Sequence, residues 1–119
     1  MFSEIASILL LTPAATITCE SVDNLGLAVG KSVLALVKAG SVLLATDTEG
    51  YAFSARNQLR GTIRKINQGT VNAVVELDAD GLTVNAGVTL HSAQALHLQE
   101  GQTATALFKA SAVVLAVKK

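Results

Sequence analysis

Residues 17–45 and 88–116 carry one pattern twice, and this duplication limits the possible folds more than any other feature. Ile17 to Ala45 falls on Val88 to Ala116 without a gap, at a constant spacing (17 to 88, 45 to 116) of 71 residues. Identical pairs include Thr18/Thr89, Ser21/Ser92, Leu25/Leu96, Leu27/Leu98, Gly30/Gly101, Lys38/Lys109, Ala39/Ala110 and Leu44/Leu115. Shared composition does not explain agreement at polar, glycine and apolar positions together, so the chain reads as two copies of one supersecondary unit. A length of 119 residues allows one ordinary domain or two very small ones, and the duplication favours two.

The second copy gives the clearer local reading. Alternation predicts a strand from Asn57 to Asn67, a Gln68-Gly69 turn, and a strand with Val71, Ala73, Val75 and Leu77 on one face. Asp78-Ala79-Asp80-Gly81 turns the chain into Leu82, Val84, Ala86 and Val88. A helical turn over Ser92 to Leu96 follows, then strands over 102–109 and 112–117. Val, Leu and Ala in short alternating runs favour strands over long helices. The expected fold class is all-β: two tandem small OB-like barrels, each with a short helical element.

The stretch Ser54-Ala55-Arg56-Asn57-Gln58-Leu59-Arg60-Gly61 opens the second copy and clusters hydrogen-bond donors. Its counterpart, set back by the repeat spacing, would fall before Met1, so the first copy is expected to lack its opening strand. The predicted division is a truncated first domain over 1–47, a linker over 48–53 and a complete second domain over 54–119. Ile8 to Leu11 resembles a secretory core, but Glu4 precedes it and no Lys or Arg does, so it reads as a strand. Val33 to Val37 is apolar throughout, which predicts burial on both faces and a neighbouring subunit as cover.

Composition excludes other roles. Nine basic and nine acidic residues cancel, so no general field draws in nucleic acid or an anionic membrane. Three Phe and one Tyr are too scattered to stack a single strand of nucleic acid. No apolar run approaches the roughly 20 residues that span a bilayer. One cysteine, Cys19, forms no internal disulfide framework, fits a reducing, cytoplasmic setting, and reads as a small buried hydrophobe opposite Leu90 in the other copy. His91 and His97 pair with no carboxylate or cysteine at metal-ligand spacing, so neither an enzyme nor a bare-cation site is expected.

The recurring polar residues admit two readings. Thr18, Ser21, Thr89 and Ser92 suit helix caps. Lys38 and Lys109 each end an apolar strand and lead into Ala-Gly-Ser or Ala-Ser, where a turn presents free N–H groups. Lysine, hydroxyls and amides from separate loops would form a donor-only cage for a tetrahedral oxyanion.

Ser54 to Gly61, Gly69-Thr70-Val71-Asn72-Ala73, Val88-Thr89-Leu90-His91-Ser92 and Phe108-Lys109-Ala110-Ser111 together resemble the molybdenum-binding protein (Mop, TOBE-like) domain. The tandem arrangement resembles two-domain molbindins and the ligand-sensing half of molybdate-responsive regulators. The resemblance implies molybdate or tungstate as ligand, no cofactor, and sites between the subunits of a homotrimer. It implies Ser54, Ala55, Arg56, Thr89, Ser92, Lys109, Ala110 and Ser111 as oxyanion-binding residues, with Thr18, Ser21 and Lys38 as first-copy counterparts. The implied role is intracellular oxyanion storage, buffering or homeostasis. The alternatives are a ligand-sensing fragment of a regulator or transporter, or an OB-like nucleic-acid-binding module. A molybdate dianion carries no proton to donate, so a cage of donors alone fits it better than monohydrogen phosphate.

Overall fold

The structure, a computed structural model, describes residues 2–6, 19–27 and 33–118. Its elements are β1 (Phe2–Ala6), α1 (Cys19–Leu25), β2 (Leu34–Lys38), β3 (Leu43–Ala45), β4 (Asn57–Gln68), β5 (Asn72–Ala79), β6 (Leu82–Thr89), α2 (Leu90–Ala95), β7 (Thr103–Phe108) and β8 (Val113–Ala116). Single 3-10 turns, Ala39–Ser41 and Ala110–Ala112, follow β2 and β7.

The period-two alternation sets the core. β5 buries Ala73, Val75, Leu77 and Ala79, β6 buries Val84 and Ala86, and β4 adds Leu59 and Ile63. Phe108 at the end of β7 is the largest fully buried side chain. β5 and β6 form a hairpin closed by Asp80 and Gly81, both at positive φ (52° and 86°), the geometry that matches strand twist. The Gly81 N–H donates to the Asp78 carboxylate at 2.9 Å and fixes the turn.

All strand pairs are antiparallel, in two sheets ordered β3-β7-β4-β5-β6 and β1-β2-β8. The larger sheet curls until its edge strands β3 and β6 meet, an OB-like half-barrel. β4 kinks at Arg64, where the register against β5 shifts between Ile63 and Lys65.

The sheets do not follow the division seen in the sequence. β3, from the first repeat, pairs with β7 of the second, while β8 of the second pairs with β2 of the first. Leu34↔Ala116 and Ala45↔Thr105 are equivalent pairs under the repeat, so the exchange is reciprocal. The registers on the two sides are continuous. Carried through the 3-10 turns, they set Gly40 across from Ala110 at a local pseudo-dyad. The helix ends repeat as well: Gly26 and His97 both take positive φ (64° and 53°). Leu27 and Leu98 donate their N–H to Val22 and Ala93 carbonyls, both at 3.0 Å.

One expectation changes. The place of the first copy's opening strand is not vacant, because β1 lies on β2 as β4 lies on β7. Ser3↔Val37 corresponds to Asn57↔Phe108, which puts Phe2 at the position of Arg56. β1 thus sits 54 positions before its counterpart (2 to 56), against 71 for α1 (19 to 90). The first copy is therefore 17 residues shorter between these elements, which is the β5–β6 region. The Ser-Ala-Arg-Asn sequence itself has no first-copy counterpart. The strand read at Ile8–Leu11 lies outside the described residues.

Within the single chain β2 buries Ala35 and Val37 and leaves Leu34 42% exposed, on the face for which a neighbouring subunit is the expected cover. Its exposed neighbour on β8, Val114, corresponds to exposed Leu43 on β3.

Candidate functional site

Each repeated lysine ends a strand in extended backbone (Lys38 φ −65°, ψ 131°; Lys109 φ −74°, ψ 146°) and opens a 3-10 turn. The turns are closed by backbone bonds: Val42 N–H donates to the Ala39 carbonyl at 3.2 Å, and Ala112 N–H to the Lys109 carbonyl at 2.9 Å. Neither lysine side chain caps its turn, and both are exposed. The pseudo-dyad brings the two turns face to face.

Ser54, Ala55 and Arg56 lead into β4. One further step of the Asn57↔Phe108 register sets Arg56 across from Lys109, with Ala110 and Ser111 next in chain. Gln58 holds this entry in place: its Nε2 donates to the Ala55 carbonyl at 3.0 Å and to the Phe53 carbonyl at 3.4 Å. Ser54 and Arg56 are exposed and Ala55 is half-buried.

Thr89 is the N-cap of α2. Its Oγ1 accepts the Ser92 N–H at 3.0 Å and donates to Ser92 Oγ at 2.8 Å. The capping reading therefore holds for this pair. It also orders the protons: with the Thr89 hydroxyl hydrogen committed, the Ser92 hydroxyl hydrogen is left to donate outward.

The strand exchange decides which lysine meets this cap. Lys38, from the other repeat, shares with Thr89 a cavity of about 330 Å³ that Gly40, Asn72, Gly87 and Val88 also line. The turn seats closely here, for a Cβ at Gly87 would lie 3.4 Å from the Ala39 carbonyl group and Gly40 Cα. A second cavity, of about 290 Å³, continues past Gly87 and Thr89 to Ser92, Leu96 and Leu43. The predicted residues thus fall into two groups: Ser54, Ala55 and Arg56 with Lys109, Ala110 and Ser111, and Lys38 with Thr89 and Ser92. Thr18 lies outside the described residues, and of Ser21 only its place in α1 is described.

Two residues inside the quoted motifs carry roles that the sequence did not assign to them. Asn72 stands directly across from Thr89, and Gln58 clamps the Ser54 segment. Sequence spacing hides the first, because the pairing depends on hairpin register; the second acts on backbone carbonyls, which carry no sequence signal.

Among the described residues, the one ion pair joins Arg64 to Glu76 (3.6 Å), with Arg64 Nη2 also donating to Thr83 Oγ1 at 2.7 Å. Among the described side chains, no carboxylate lies within 4.0 Å of Lys38, Arg56 or Lys109, which leaves their charge available to an anion. Among the described residues, no His, Cys, Asp and Glu group could hold a metal ion, and no helix is long and apolar enough to cross a membrane. His91 and His97 are both exposed.

Curled antiparallel sheets with donor-bearing turns at their ends define an OB-like ligand-binding class. More closely, the TOBE domain model matches residues 13–44 and 54–115, and the chain belongs to that family. It is 42% identical over 106 residues to the molybdenum transport protein ModE of Herbaspirillum seropedicae, covering 88% of this chain and 39% of that one. It is also 42% identical over 101 residues to the DNA-binding transcriptional dual regulator ModE of Escherichia coli K12, covering 84% and 37%. The chain thus spans less than two-fifths of the length of these curated relatives. A solved structure of the cytoplasmic molybdate-binding protein ModG with molybdate bound matches at TM-score 0.84 and 38% identity, covering 99% of this chain and 96% of that one.

Proposed function

We propose that this chain binds molybdate, and tungstate with it, as a tetrahedral dianion held by side-chain and backbone donors, without turnover. The sites are completed between the subunits of a homotrimer, and the role is cytoplasmic storage, buffering or homeostasis. The carrying observation is the uncommitted cation set Arg56, Lys109 and Lys38, gathered by the strand exchange around two 3-10 turns. The fold shared with a molybdate-bound ModG over 99% of the chain supports the choice of anion.

Each group has a part. Arg56 offers a planar fork of donors and Lys109 a point charge. The Ser92 hydroxyl, oriented by Thr89, adds a neutral donor, and the Ala110–Ala112 turn adds N–H groups. Sulfate matches molybdate in charge and shape, so rejecting it depends on pocket size. Calorimetric titration of the assembled protein should give tight binding of molybdate and tungstate and weak or no binding of sulfate. Absence of heat with both metal oxyanions would refute the assignment.

A second reading has one specific support, the match to less than two-fifths of regulators such as the Escherichia coli relative. In it, the same oxyanion site serves as the sensing part of a larger assembly. This chain alone should then still bind molybdate but show no salt-dependent retention of duplex DNA.

A further inference from the structure

The two lysine turns are related by the pseudo-dyad, but different residues stand across from them. Across from Lys109 the register sets Arg56; across from Lys38 the same register sets Phe2. Both lysines are exposed in extended backbone and both turns have the same length, while Lys38 also shares its cavity with Thr89. A phenylalanine supplies neither the charge nor the donors that a guanidinium gives an oxyanion.

We infer that the chain carries two unequal oxyanion half-sites, a tight one at the Arg56–Lys109 end and a weak one at the Phe2–Lys38 end. The residue across from each lysine sets the difference. The cause is local, because the strand that could carry the arginine is present and correctly registered. Losing a charge-assisted interaction separates the two ends by about ten- to hundred-fold in affinity. The inference rests on the oxyanion reading proposed above.

Molybdate titration followed by calorimetry, with ligand counted by native mass spectrometry, tests it on the full chain. Wild type should show a tight class and a class at least about tenfold weaker. Phe2→Arg should move the weak half-site into the tight class, Phe2→Leu should not, and adding Lys38→Ala to Phe2→Arg should reverse the gain. The converse variant Arg56→Phe, at an exposed position, should remove the tight class and leave both ends weak. Equal affinity at both ends in wild type, or a tight class that survives Arg56→Phe, overturns the inference and leaves the oxyanion reading intact. Wild type that binds no molybdate overturns both.

Discussion

Arg56 and Lys109 are exposed cations with no acidic neighbour within 4.0 Å among the described side chains, so removing either takes away ligand contacts and little packing. Each charge-assisted bond is worth about 1.5–3 kcal/mol, so Arg56→Ala and Lys109→Ala should each weaken molybdate binding by about ten- to hundred-fold. Calorimetry reads the affinity, and an unchanged melting temperature checks the fold. Gln58→Ala should act through position instead: it frees the Ala55 and Phe53 carbonyls, loosens the Ser54–Arg56 entry, and lowers affinity by less than Arg56→Ala does. His97 belongs to the backbone. It holds a left-handed conformation that Gly26 holds in the other repeat, so His97→Gly should raise stability by about 0.5–1 kcal/mol in urea denaturation. Thr89 and Ser92 were legible in the sequence because a cap is a local pattern. Asn72 and Gln58 were not, because their roles arise from hairpin register and from carbonyls several residues away.

At the scale of elements, strict alternation made β4, β5 and β6 readable, and Asp80-Gly81 marked the hairpin turn. β1 was hidden. The repeat gives no guide where the first copy is 17 residues shorter (71 less 54). The strand exchange was hidden for a different reason: the same duplicated sequence serves equally well whether each half closes on itself or on the other. Burial of β2 on one face follows from its place between β1 and β8, with Leu34 left on the open side. One close approach gives a sharp test. A Cβ on Gly61 would collide with the Asp78 carbonyl, where β4 passes close to β5. Gly61→Ala should cost about 1–3 kcal/mol of stability, measured by chemical denaturation, through backbone displacement rather than lost contact.

For the whole molecule, the exposed apolar residues repeat with the fold. Leu43 (64% exposed) and Val114 (56%) occupy equivalent positions on β3 and β8, the strands at sheet edges. Unpaired edges beside apolar side chains favour further association, consistent with the proposed homotrimer. Native mass spectrometry should find a trimer for wild type, and Leu43→Asp with Val114→Asp should shift it to monomer without unfolding the chain. The reciprocal pairing also bears on the order of folding events. β2 acquires its second neighbour only when residues 113–116 arrive, and β7 acquires β3 from across the linker. Such pairings span most of the chain, so the closing step waits on a long loop search and should be slow for a molecule this small. A protease that nicks the exposed stretch at Glu49–Phe53 should therefore release no free halves. The fragments stay clasped by two interlocked strands, and only denaturant parts them.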